Sequence, residues 1–424
     1  MGFTSFNFDP RITAGIRALG YTTPTPIQAQ SIPAGLQGRD VLGLAQTGTG
    51  KTAAFALPML QRLVAGPRGY TRALVLAPTR ELADQIHEAF RGLGAHTGLR
   101  SVTIYGGVGF QPQASALKRG VEIVVACPGR LLDHLGQNTI DLSRLEILVL
   151  DEADRMFDMG FLPDIRKIAR RLPPRRQTLL YSATMPESIR GLAHEMLRDP
   201  VTVQVDHTVP LTTVSHSLYP VPEHLKSELL ARLLNETGEG SVLIFTRTKH
   251  RAKRLSLRLH GQGRAATCLQ GNLSQNKRKA ALEGFRAGKF NILVATDIAS
   301  RGIDISEITH VINFDVPDTT EAYTHRIGRT GRAARTGDAF TFVTRDDEGM
   351  VRDIERSLGS KIERRQVEGF NYSAGPSQPA GPPAQQHQHR HQPQRPHGQA
   401  RRGQAGPAKP SGFRGRFGRS RRSH

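Results

Sequence analysis

Short runs of Val, Ile, Leu and Ala recur along this chain with amphipathic stretches between them, and that rhythm leaves few folds open. They fall at residues 41–44, 73–77, 102–105, 122–126, 147–150 and 178–181. Strand-length apolar runs alternating with helical stripes indicate a parallel sheet covered on both faces. Leu82, Ile86, Phe90 and Leu93 mark one intervening helix, as Ile12, Ile16 and Leu19 mark another near the start. A stretch at 205–225 with three prolines and no long periodicity then interrupts the pattern. The rhythm restarts at 242–245, 265–269, 292–295, 310–314 and 339–343, with helix stripes at Ala252, Leu255 and Leu259 and at Ala281, Leu282 and Phe285. The fold class expected is therefore α/β: two tandem domains of similar architecture, at 1–206 and 217–369, joined by a linker at 207–216.

Two strand ends carry chemistry. After Val41-Leu42-Gly43-Leu44 comes Ala45-Gln46-Thr47-Gly48-Thr49-Gly50-Lys51-Thr52, a strand, a tight loop and a helix start. Apart from Ala45 in place of the first glycine, this is the pattern of a phosphate-binding loop. Gly48 and Gly50 let backbone N–H groups approach the phosphates, Lys51 neutralises the β- and γ-phosphates, and the Thr52 hydroxyl holds Mg²⁺. Leu148-Val149-Leu150 likewise runs into Asp151-Glu152-Ala153-Asp154, carboxylates at a strand end, where open α/β sheets bind ligands. Asp151 can reach Mg²⁺ through water, while Glu152 is placed to polarise an attacking water. The second domain has no such loop, so it is either a regulatory copy or half of a shared site.

Charge points to the partner. Of the formal +21, the segment from Asn371 to His424 supplies +10, with no Asp or Glu. Both parts of the chain favour a polyanion, nucleic acid before an acidic membrane surface. The segment at 370–424 is dominated by Pro, Gln, His, Gly and Arg, too few large apolar groups to offset ordering entropy, and is expected to be a disordered basic tail. Its Phe413 and Phe417 among arginines suit stacking and charge attraction to a single strand, although a purely solubilising role stays open. Two cysteines, Cys127 and Cys268, give no disulfide framework or metal spacing. With no apolar run of membrane length and no secretory signal, a cytoplasmic protein is expected.

Asp151-Glu152-Ala153-Asp154, taken with 45–52, Pro78-Thr79-Arg80-Glu81-Leu82, Ser182-Ala183-Thr184 and His325-Arg326-Ile327-Gly328-Arg329-Thr330-Gly331-Arg332, resembles the DEAD-box RNA helicase family over roughly residues 3–368. Short spacing and the basic tail further resemble its bacterial RhlE-like branch. The resemblance implies two RecA-like domains, ATP and Mg²⁺ as cofactors, and RNA as partner. It also implies roles. Tyr21 is similar to the aromatic that stacks on adenine and Gln28 to the glutamine that reads its edge; Phe3 has the spacing of the aromatic that packs there, with Phe6 and Phe8 as competitors. Thr47, Thr49, Gly302 and Asp304 resemble further nucleotide contacts. Arg329 and Arg332 resemble two arginine fingers, with His325 and Ser182 to Thr184 linking the ATP site to the RNA path.

Pro78, Thr79, Arg80, Gly106, Gly107, Cys127 and Arg130 resemble RNA-backbone contacts of the first domain; Thr246, Arg247, Gln275, Arg278, Thr296 and Asp297 resemble those of the second. Cys127 stands where threonine is usual, and a thiol is the poorer hydrogen-bond partner. The function implied is an ATP-dependent RNA helicase acting locally on short duplexes or RNA–protein complexes, with an ATP-switched RNA clamp as the alternative; a DNA-directed helicase is disfavoured by the segment from Tyr21 to Gln28. A monomer working with ribosome-assembly or RNA-decay proteins would accompany that function.

Overall fold

The computed structural model describes residues 2–46, 48–205, 214–238, 240–297, 308–331 and 337–375. Thr47, Gly302, Asp304, Arg332 and the tail from 376 onward lie outside the described residues. The first lobe is a seven-stranded parallel sheet of β1 (Val41–Leu44), β2 (Ala73–Leu76), β3 (Ser101–Ile104), β4 (Ile123–Ala126), β5 (Ile147–Leu150), β6 (Gln177–Ser182) and β7 (Val201–Gln204), in the order β3-β4-β2-β5-β6-β1-β7. The second is built from β8 (Val214–Pro220), β9 (Val242–Phe245), β10 (Ala266–Leu269), β11 (Ile292–Ala295), β12 (His310–Asn313), β13 (Gly337–Val343) and β14 (Glu363–Arg364), in the order β10-β11-β9-β12-β13-β8-β14. Numbered within each lobe, the two orders are the same. These are tandem RecA-like domains.

Strand alternation feeds both faces of each sheet. In the first lobe Ala73, Val75, Ile147 and Val149 enter one core, while Leu74, Leu76, Leu148 and Leu150 enter the other. In the second, Leu243, Phe245 and Leu293 pack on one side and Val242, Ile244 and Ile292 on the opposite side. This two-sided burial is why the strands read as continuous apolar runs. Since all strands of a sheet run the same way, every strand-end motif falls on one edge of its lobe.

Two expected boundaries shift. Residues 214–216, placed in the linker, already belong to β8, which pairs with β13 from Gly337↔Val214 onward. Within 370–375, placed in the tail, alternate residues are part-buried: Phe370, Tyr372 and Ala374 lie against the second lobe's core, and the Tyr372 hydroxyl accepts the Val367 N–H at 2.9 Å. Two aromatic rings there, their centroids 4.8 Å apart, offset the ordering cost that the polar residues beyond them cannot. Strands β7 and β14 carry no long apolar run because they are sheet edges, and both residues of β14 are exposed.

Candidate functional site

At the end of β1 the chain turns into the helix Lys51–Val64 through Gly48 and Gly50, at φ +89° and +93°. Gly50 suits this turn because any other residue would be strained at its left-handed φ, and a Cβ there would displace the Gln28 amide nitrogen. Lys51 is buried at the helix start and donates to the Ala45 carbonyl at 2.8 Å. Thr49 Oγ1 donates to the Gln46 carbonyl at 2.8 Å, and Thr52 follows Lys51 in the first turn. The loop opens onto a cavity of about 450 Å³ lined by Phe3, Tyr21, Gln28, Lys51, Thr52 and Asp151, among others.

Tyr21 is 39% exposed at the mouth of that cavity, so it is no core residue. Phe3 is the ring beside it, with centroids 6.0 Å apart, whereas Phe6 packs on Phe3 and Phe8 on Phe6. Gln28 is used differently from an edge reader standing free. Its Oε1 accepts the Thr25 N–H at 2.9 Å and its Nε2 donates to the Gly50 carbonyl at 3.1 Å, tying the N-terminal segment to the phosphate loop.

Past β5, Asp151 is 2% exposed, and burial pushes its carboxyl up to about 6 against the pull of Lys51. A buried acid with too little positive charge nearby fits a position completed by a cation. Glu152 takes the left-handed backbone, φ 54° and ψ 55°, strained for a side chain with a Cβ. Burial alone would raise its carboxyl, but Arg155, Lys51 and Arg329 outweigh it and hold Glu152 below the ordinary range. Arg155, one helical turn on, makes a buried ion pair with it.

Asp154 is a hub. Its Oδ2 accepts the Ala183 N–H at 3.1 Å, the Thr184 N–H at 2.9 Å and the Thr184 hydroxyl at 3.0 Å, while its own N–H donates to Ser182 Oγ at 3.2 Å. The segment at the end of β6 is therefore clamped to the segment at the end of β5. From the second lobe, His325 and Arg329 join Glu152, Asp154 and Thr184 around one cavity of about 510 Å³. Neither lobe completes that site alone. Arg326, between them in sequence, faces inward instead: it grips Asp297 bidentately at 2.6 and 2.7 Å and donates to the Asp315 carbonyl at 2.7 Å.

The residues of the first lobe expected to contact RNA gather at neighbouring strand ends. Gly107, at φ +76°, lies where a Cβ would collide with the Arg80 guanidinium, and Gly106 lies between Arg80 and Arg130. Arg130 donates to the Val108 carbonyl at 3.2 Å. Pro78 is buried, and Thr79 caps the helix Arg80–Leu93 by accepting the Leu82 N–H. Cys127 precedes the helix Pro128–Gly136 without a side-chain cap, and burial followed by Glu81 pushes its thiol up to about 12. In the second lobe Thr246 is fully buried, Arg247 is half-exposed between Asp318 and Asp347, and Thr296 is part-buried at the end of β11. Arg278 is spent on a cross-lobe ion pair: its Nε donates to Glu81 Oε1 at 2.6 Å, beside Gln275 at 3.3 Å.

Several members of this network lie outside the motifs read from the sequence. Arg155 could have been read from its three-residue spacing to Glu152 at a helix start. The Asp154 clamp and the Arg326–Asp297 pair join residues about 30 positions apart, which periodicity cannot register.

Comparison with known proteins agrees with this geometry. Residues 25–192 match the family model for the DEAD/DEAH box helicase, and residues 225–334 match that for the helicase conserved C-terminal domain. The DEAD-box ATP-dependent RNA helicase CshA of Geobacillus kaustophilus is 44% identical over 365 residues, which is 85% of this chain and 78% of that relative. CshA of Bacillus subtilis is 43% identical over 85% of this chain and 73% of its own length. Among solved structures, S. cerevisiae Dbp5 bound to RNA and ADP BeF3 is similar with a TM-score of 0.77 at 31% identity, covering 86% of this chain and 95% of that one.

Proposed function

Because the chain belongs to the DEAD-box helicase family, we propose that it is an RNA-dependent ATPase whose two lobes close on ATP and a single RNA strand to open short duplexes. The observation that carries this reading is the shared cavity: Glu152 of the first lobe and Arg329 of the second line the same space. Glu152, kept ionised by Arg155 and Lys51, is suited to orient and polarise a water at the γ-phosphate. Lys51 and the loop N–H groups take the phosphate charge, and Tyr21 offers its ring to adenine. Arg329 adds positive charge where charge builds up during transfer, and only while the lobes are together. Thr52 and Asp151 would hold a Mg²⁺, which neutralises phosphate charge in such a site.

RNA enters the same circuit. Arg80 and Arg130 lie beside the small Gly106-Gly107 turn, a surface fit for phosphates and ribose rather than base edges. Glu81, next to Arg80, bonds Arg278 across the lobes. A strand lying there would favour the closed form and so the Arg329 contact. Its two cysteines, both free, suit a reducing cytoplasmic setting.

Energetics set the reach. With DNA stacking of about 1.4 kcal/mol per step as a stand-in, five steps cost on the order of 7 kcal/mol and thirty about 40, so displacement should fall sharply with duplex length. ATP-driven release of a labelled strand from duplexes of increasing length is the test. Equal rates on short and long duplexes would refute local opening, and tight binding with no release would mark an ATP-switched clamp.

A further inference from the structure

In the second lobe the helix Lys249–Gly261 has the sequence KHRAKRLSLRLHG: Lys, Arg and His in more than half its positions and no acid at all. Ala252, Leu255, Ser256 and Leu259 bury one stripe, leaving Lys249, His250, Lys253, Arg254, Leu257 and Arg258 exposed. Arg251 turns inward to Glu223 and Asp315, and Lys249 reaches the Asn272 amide oxygen at 3.2 Å. Lys253, Arg254 and Arg258 meet no carboxylate among the described residues.

This arrangement works against the helix. Like charges four apart, as in Lys249 with Lys253 and Arg254 with Arg258, repel along the surface, and cations in the first turn oppose the macrodipole. The helix in the same topological place in the first lobe, Arg80–Leu93, interleaves Glu81, Asp84 and Glu88 with its cations. An anion laid along the face would remove the repulsion. The helix begins two residues after Arg247, on the expected RNA side of the lobe, and thirteen residues extend about 20 Å from there.

We propose that the outward face of Lys249–Gly261 is a second phosphate-binding surface, which takes the RNA backbone beyond the segment held at the strand ends. The proposal rests on the RNA-helicase reading and adds to it a contact outside the ATP-coupled groove. Neutralising a set of such contacts lowers the salt dependence of binding by about 0.7 per phosphate for a single strand.

The test uses the full chain carrying Lys253→Gln, Arg254→Gln and Arg258→Gln, with fluorescence anisotropy of labelled RNA across a salt series. For a long single strand the affinity at low salt should fall about tenfold, with the log–log salt slope smaller by up to about 2. A short oligonucleotide that fills only the groove should bind as before. The charge-preserving set Lys253→Arg, Arg254→Lys and Arg258→Lys should match the parent, separating charge from shape. Unchanged affinity and slope for the long strand would overturn the proposal, as would binding of an acidic polypeptide that the neutral set abolishes while RNA binding stays. RNA stimulation of ATP hydrolysis, measured in the parent alongside, judges the helicase reading separately.

Discussion

The two lobes share one strand order and even one pair of charges, yet among the described residues only the first has a glycine-rich loop and a cavity beside that pair. In the first, Lys51 opens the helix after β1 and Asp151 follows β5; in the second, Lys226 opens the helix after β8 and Asp315 lies just past β12. The difference is what lies between them. Around Lys51 a glycine-rich loop leaves a cavity, and the Asp151 carboxyl is pushed up to about 6. Lys226 has the proline-bounded turn Val221-Pro222-Glu223 instead, and it bonds Glu223 at 2.9 Å and Asp315 at 3.4 Å, with Arg251 closing the network. Topology places a lysine and an aspartate together in both lobes; glycines decide whether the pair awaits a ligand or satisfies itself.

The lobes differ most in what each supplies to the reacting phosphate, and the largest effect is expected there. Arg329→Ala should lower RNA-stimulated ATP turnover by about 10³- to 10⁵-fold, roughly 4 to 7 kcal/mol, while fluorescent ATP analogues still bind. Retained turnover would mean that the second lobe adds nothing to the chemistry.

Exchanging each buried lysine for methionine should separate function from stability. Lys51→Met should abolish ATP hydrolysis. Lys226→Met should leave turnover near normal but cost about 2 to 3 kcal/mol, seen as melting roughly 5 to 10 °C lower, because Glu223 and Asp315 lose a partner at a 3% exposed site. Loss of ATP hydrolysis with unchanged melting in Lys226→Met would end the contrast.

The carboxylates should respond in opposite directions. Asp151 titrates higher folded than unfolded, so the folded chain loses stability as pH climbs from about 4 to about 6, and the full cost, about 3 kcal/mol, is present above that. Without nucleotide, Asp151→Asn should therefore melt above the parent at about pH 7.5, an advantage that shrinks towards about pH 4.5. Asp315→Asn should melt below it, since Lys226 and Arg251 lose their counter-charge and one of the two oxygens that accept from them and from the Arg247 N–H becomes a donor. Differential scanning fluorimetry across pH reads both.

The smallest effect concerns the ends of β4 and β11, where the first lobe has Cys127 and the second Thr296. Cys127→Thr should supply the missing cap of the helix Pro128–Gly136, raising stability by about 1 kcal/mol and slightly tightening RNA binding. A lowered melting temperature would show that the pocket is shaped for sulfur.

Much of this was legible in order along the chain. Apolar runs of strand length indicated the parallel sheets, the glycines with Lys51 and the carboxylates Asp151 and Glu152 marked the two strand ends that carry chemistry, and resemblance carried roles to Tyr21 and Arg329. Those features are local: a strand needs its own side chains apolar, and a tight turn needs its own glycines. What only the tertiary structure decided were pairings between residues far apart. Gln28 is committed to Gly50, Arg278 to Glu81, Asp154 to Ala183 and Thr184, and Lys226 to Asp315. The physical reason is that a buried polar group must find a partner, and which one it finds depends on distances that sequence spacing does not contain.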